Sequence, residues 1–288
     1  MIVRRTAPYL FAVRPVWLRG AEVHASVVVR ARFTLDDAGA LQLDPEQGTL
    51  SGERYAPDDL DRLGAPLCVD DFVPLKAHPE WVVLGKCFVP GGQPVPRCAV
   101  GVTLGAASKA LRVVGPRVWS DARADAVLSD PVAFTEMPID WTRALGGPGD
   151  AANPAGCGLA SREAPNVESP AAPLAHRSDH PGPAGYGPLN ARWRPRAVHL
   201  GRRYDAAWRS LGGRGYADDF DLRYFQCAPA DQWLPEGLRG DEPFRLHNLH
   251  TTRPALGGRL PGVRVRVVVR AADGSTREVA LRLDTVVF

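Results

Sequence analysis

The stretch from Phe134 to Glu242 constrains this chain most, because it follows neither a helix nor a strand period. It carries FTEMPIDWTRALGG (134–147), NPAGCG (153–158), PNVESP (165–170), GYGP (185–188), YDAAW (204–208) and GDE (240–242). Gly, Pro and Asn set particular backbone conformations, and Trp brings a large contact area. About a hundred residues of this kind exceed an ordinary loop. Disordered linkers are poor in Trp, Tyr and Phe, so the stretch reads as ordered. It is expected to form an irregular surface laid on a regular core.

The flanks supply that core. Tyr9–Arg14 and His24–Thr34 are rich in Val and aromatics and read as strands. Asp36-Asp37-Ala38-Gly39 is a turn, after which Leu41–Leu43 returns as a hairpin. Trp81–Val89, Arg97–Leu104 and Ala110–Val114 are apolar runs separated by Gly-rich turns, an antiparallel meander. Arg264–Arg270 alternates as a half-buried strand, Asp273-Gly274 turns, and Glu278–Phe288 pairs back. The best helix candidate is short, Asp205–Leu211, with single turns at Pro57–Leu60 and Asp140–Leu145. The 29 glycines and 27 prolines favour turns over long helices. The expected fold is mainly β and a single domain over residues 1–288. Its antiparallel, sandwich-like core comes from the N- and C-terminal strands, with few short helices. A Gly/Pro/Trp-rich subregion covers about residues 115–260.

Composition excludes several function classes. Hydrophobic residues are 45% and charged residues 23%, values of a soluble globular protein. Net charge is +3, and Lys76, Lys86 and Lys109 are the lysines of an Arg-rich chain, a bias that a GC-rich genome produces. No Arg run is interleaved with aromatics, so nucleic acid is not expected as a partner. No apolar run approaches the length of a membrane span. MIVRRTAPYLFAVRPVW lacks an apolar h-region and a cleavage site, which reads as a cytoplasmic N-terminus. Cys68, Cys87, Cys98, Cys157 and Cys227 form no CxxC pair, against a disulfide framework or closed zinc site and in favour of a reducing compartment.

Catalytic chemistry is weakly represented. His176 and His180 are four apart, but Pro181 and Pro183 break the helix that would align them. His247 and His250 are a weak pair, so no metal is expected. Cys157 sits in a Gly-rich loop with no base tied to it. Gly146-Gly147-Pro148-Gly149 lacks a phosphate-loop Lys, and no cofactor is expected. Asp219, Asp221, Glu168, Asp241 and Glu242 would serve a glycosidase-like hydrolase if two of them faced one cleft. They serve equally as turn caps and Arg partners. The aromatics Trp141, Tyr186, Trp193, Tyr204, Trp208, Phe225 and Trp233 are the side chains of protein-binding hot spots. They are equally at home in the core of a helix-poor fold.

The ordered motifs resemble a bacterial family, domain of unknown function 2169. The match runs through Val114-Gly115-x-Arg117-x-Trp119, Phe134-x-x-Met137-Pro138-Ile139 and Trp141-x-Arg143-Ala144-x-Gly146-Gly147. It continues with Asn153-Pro154-x-Gly156-x-Gly158, Pro165-Asn166-x-Glu168-x-Pro170, Gly185-Tyr186-Gly187-Pro188 and Trp193-x-x-Arg196. Gly201-x-x-Tyr204-Asp205-x-x-Trp208, Asp219-Phe220-Asp221, Phe225-x-x-Ala228-Pro229-x-Asp231-Gln232 and Gly240-Asp241-Glu242 complete it. The chain departs from the family pattern around Lys76, where the Pro and the acid that follow it are displaced to Pro79 and Glu80. It also stops sooner after Leu283-Asp284-Thr285-Val286. The resemblance implies a non-enzymatic adaptor or chaperone of type VI secretion. Such a protein binds a secreted toxin effector, a spike-tip protein or both, and helps load the effector onto the spike.

Overall fold

The computed structural model describes residues 9–19, 22–36, 38–59, 61–121, 123, 125–158, 161–271 and 273–288. The N-terminal residues 1–8, Asp37 of the expected turn and Leu60 of the expected helical turn lie outside them. The fold is mainly β, with several antiparallel pairs around one five-stranded sheet. That sheet runs in the order Val167–Glu168, Ala107–Val114, Arg97–Leu104, Pro243–His247, Ala255–Arg259, antiparallel throughout. Arg97–Leu104 alternates in burial, placing Val100, Val102 and Leu104 on the inner face, as a sheet with one covered face requires. Leu111 and Val113 continue that face on the neighbouring strand.

The strands at the chain ends take other places. Leu10–Arg19 and Glu22–Arg30 form a separate two-stranded pair, with a register shift between Arg14 and Trp17. Arg266–Arg270 and Thr276–Ala280 form another. The sheet core therefore draws on the middle of the chain and on residues 243–259. Near the C-terminal end, Thr285–Val287 runs parallel to Glu80–Val82 as a separate two-stranded pair. There Val286 packs into the main apolar cluster, and Phe288 lies against Phe244 at 5.3 Å.

The irregular stretch supplies much of the interior's large side chains while leaving many of its own residues exposed. Trp141, Tyr186, Leu189 and Trp193 join Trp81, Val100, Val102, Leu104, Leu111 and Val113 in that cluster. The expected turn at Asp140–Leu145 is a 3-10 turn, Trp141–Arg143, whose Asp140 accepts from the Thr142 amide at 2.9 Å. The expected helix is Ala206–Ser210, capped by Asp205 accepting from Ala207 and Trp208. Close packing decides Gly156 of the NPAGCG motif and Gly146 of the motif before it. A Cβ on Gly156 would come within 2.7 Å of the Ala144 carbonyl, and one on Gly146 within 2.2 Å of the Asn153 carbonyl. Asn153 itself donates to the Trp141 and Leu145 carbonyls at 2.9 Å each, tying that loop to the turn.

Candidate functional site

The seven aromatic candidates divide by burial. Trp141, Tyr186, Trp193 and Phe225 are core residues, each under a twentieth exposed. Trp141 and Trp193 meet edge-on at 6.1 Å, and Gly185 lets the chain pass over the Trp141 ring. Trp193 donates to the Leu63 carbonyl at 2.8 Å, while Asn190 donates to those of Arg62 and Gly64. Together they staple the 62–64 segment down. Phe225 belongs to an aromatic cluster with Tyr216, Phe220 and Tyr224. Tyr204, Trp208 and Trp233 are half-buried, with Tyr204 edge-on to Trp208 at 5.1 Å and Trp233 donating to the Ala228 carbonyl at 3.0 Å. The first four are therefore part of the packed interior. A helix-poor chain has to fill its interior with large side chains set on loops.

The five carboxylates are engaged one by one. Glu168 is buried between Arg112, at 2.8 Å, and Arg117, whose guanidinium also donates to the Pro165 carbonyl. Asp219 accepts from the Arg202 and Arg203 amides, and hydrogen bonds of this kind lower its pKa. Asp221 caps the turn Leu222–Phe225 and pairs with Arg223, whose hydrogen bond holds its carboxyl low. Glu242 accepts from the Arg239 and Gly240 amides. Asp241 lies 3.6 Å from Arg239 and 4.0 Å from Arg259. Each of the five is thus engaged with an Arg or with backbone N–H groups. Among the described residues no group of His, Cys, Asp and Glu is placed to hold a metal ion. Burial raises the Cys157 thiol, and its backbone N–H is bonded to Ala144. An open groove of about 420 Å³ runs past Asp150, His180 and Arg194. Its Asp150 is occupied with the Ala152 amide at 2.7 Å.

The densest polar cluster gathers around Lys76 and Glu80, which the sequence showed as a displaced motif but did not mark as a site. Glu80 is fully buried and accepts from the Gln226 side chain at 2.9 Å, the Cys227 amide at 3.1 Å and the Ala228 amide at 3.0 Å. It also pairs with Lys76, which donates to Thr285 Oγ1 at 2.8 Å. The acid displaced from the family pattern thus still meets the lysine. Burial alone would lower the Lys76 pKa, but the surrounding groups, Cys227, Glu80 and Asp284, outweigh it and hold the ammonium above its ordinary value. Burial, reinforced by Glu80, pushes the Cys227 thiol up to about 12. Nearby, Lys109 donates to the Gly185 carbonyl at 2.6 Å, to Asp231 at 2.9 Å and to Gln232 at 2.8 Å. Burial lowers its pKa, with Asp231 opposing. Gln232 in turn donates to the Trp81 and Tyr186 carbonyls at 2.7 Å. A signal was present: Glu80 sits beside the apolar run Trp81-Val82-Val83, and Gln226 lies between Phe225 and Cys227. A polar residue in such a setting is buried and must be paired.

What faces outward is the C-terminal hairpin. Arg266–Arg270 and Thr276–Ala280 pair with each other alone, and among the described residues no third strand joins them. Val268 is 65% exposed, Val269 43% and Val279 37%, in a two-stranded unit that is marginal in water by itself. Its base is held by Arg282, which donates to the Lys76 carbonyl at 2.6 Å. The N-terminal hairpin is tied down more firmly. Tyr216 donates to the Leu18 carbonyl at 2.8 Å, and Arg30 pairs with Asp71 at 2.9 Å.

Fold and site together describe a mainly-β protein in which Trp141, Glu168, Tyr186 and Trp193 of the motifs are buried and, among the described residues, the edges of the C-terminal hairpin are unpaired. The profile of a family described as an uncharacterized protein conserved in bacteria, DUF2169, matches residues 19–288. The chain belongs to that family. No curated protein and no solved structure gives a significant match.

Proposed function

We propose that this protein is a non-enzymatic adaptor that binds another protein through exposed strand edges. The observation that carries this reading is the C-terminal hairpin, with its exposed valines and two edges that no other strand among the described residues pairs. An open sheet edge is a template for a strand from another chain. The finer role is the one the resemblance implies: holding a secreted toxin effector in the cytoplasm and helping to load it onto a type VI secretion spike. No helix among the described residues is long and apolar enough to cross a membrane. Affinity purification from the native host, followed by mass spectrometry, tests the role. The expected result is co-purification of an effector or a spike component, in proportions that survive washing. Recovery of neither contradicts it.

A further inference from the structure

The C-terminal hairpin has two unlike faces. Within Arg264–Arg282 there are five arginines and two carboxylates, a net +3 equal to that of the whole chain, so this short segment is locally far more basic than the rest. Side chains alternate across a strand, so Arg264, Arg266, Val268 and Arg270 share one face. The register places Ala280, Glu278 and Thr276 beside them on the neighbouring strand. Val265, Val267 and Val269 share the other face with Val279 and Leu281, and with Arg277, which stands opposite Val269. Glu278 neutralises Arg266 at 2.7 Å, and among the described residues no ion pair holds Arg264 or Arg270.

The backbone is as informative as the side chains. Leu281 donates to Val265, and Ala271 donates to Ser275, both at 2.9 Å. In an antiparallel ladder the bonded pairs then fall on Val267 and Val269 as well. Arg266, Val268 and Arg270 therefore turn their N–H and C=O groups away from the hairpin, toward solvent. A strand added at this edge meets three outward backbone pairs, two unpaired arginines on one face and a row of valines on the other.

We infer that the Arg266–Arg270 edge accepts an extended segment of a partner protein in which acidic and apolar residues alternate. The proposal rests on the adaptor reading and names the chemistry of its partner. Acidic side chains would lie beside the arginine face and apolar ones beside the valines, in the register that cross-strand pairing favours. A second copy of this chain fits poorly, because edge-to-edge pairing about a two-fold axis would set arginine against arginine. A nucleic acid would use the charges, but it would have no use for the outward backbone groups or the valine row.

The test uses the purified full chain and a fluorescently labelled peptide of alternating Glu and Val, with a Lys/Val peptide and a single-stranded RNA oligonucleotide as comparisons. Anisotropy is measured for the wild type and for Val268→Pro. That substitution removes an outward N–H and leaves the hairpin's own bonds in place, the position at which an edge strand tolerates proline. Its melting temperature is recorded to show that it folds. The expected result is binding of the Glu/Val peptide alone, weakened by added salt and at least about tenfold weaker in Val268→Pro, the scale of one lost shielded hydrogen bond. No binding of the Glu/Val peptide by the folded wild type overturns the proposal. So does equal binding by Val268→Pro, or RNA binding of equal strength in both proteins. Concentration-dependent dimerisation lost in Val268→Pro would transfer the edge to a second copy. If the native partner co-purifies equally with wild type and Val268→Pro, the adaptor reading stands and this edge is not its site.

Discussion

The central stretch and the C-terminal hairpin invert the usual link between regularity and burial. Residues 134–242 have little regular structure, yet they supply Trp141, Tyr186, Trp193, Phe225, Gln226 and Gln232 to the interior. Residues 266–280 form a regular hairpin, yet most of their side chains face water. The difference lies in where backbone and polar groups find partners. In the centre, side chains such as Asn153, Asn190 and Gln232 bond to carbonyls that no strand satisfies, as burial of irregular backbone demands. In the hairpin the ladder satisfies only the inner half of each strand's backbone groups.

The sharpest way to break this contrast is to attack the buried cluster. Glu80→Ala removes the acceptor of four donors and leaves Lys76 charged in the interior. A loss of about 3–5 kcal/mol in urea unfolding is expected. Lys76→Met is expected to cost less, because Glu80 keeps its four other donors. Equal costs would show that the ion pair alone carries the cluster.

Gly156→Ala comes next. The added methyl meets the Ala144 carbonyl and Asn153, and about 1–3 kcal/mol of destabilisation is expected. A neutral result would mean that the NPAGCG loop is not packed as described.

The buried cluster also sets an alkaline limit. The Cys227 thiol is raised in the folded state from 9.0 to about 12. A raised group contributes stability that is fully present below its unfolded value and is lost as pH climbs toward the folded one. The urea midpoint is therefore expected to fall between about pH 9 and 12, and Cys227→Ala is expected to flatten that fall. An unchanged slope in the variant would assign the loss to other groups.

The smallest expected effect is in the hairpin. Val268→Thr exchanges an exposed valine for another β-branched residue and should shift stability by no more than about 0.5 kcal/mol. A core-sized loss would show that the strand is covered.

Much of this was legible in the sequence. The Arg97–Val114 hairpin, the Asp273-Gly274 turn and the Asp205-capped helix follow from alternation and turn chemistry, and the order of motifs pointed to the family. The depth of each element was not legible. Arg264–Arg270 alternates as a half-buried strand should, but alternation states which residues share a face and not whether anything covers it. Trp141 and Trp193 were equally compatible with surface and interior, because the contacts that bury them come from residues such as Gly185, distant in sequence. The Lys76–Glu80 pair was visible as a displaced motif. Its burial depends on Gln226, Cys227 and Thr285, which only the fold brings near.

The division between inward scaffold and outward edge is tested most directly by site-specific photo-crosslinking in the native host. A photoreactive residue is placed at Val268, or at the similarly exposed Val132 and Val198 away from the hairpin. The expected result is a covalent adduct with one partner protein from Val268 and none from the two control positions. Adducts from Val132 or Val198 with Val268 silent would contradict it.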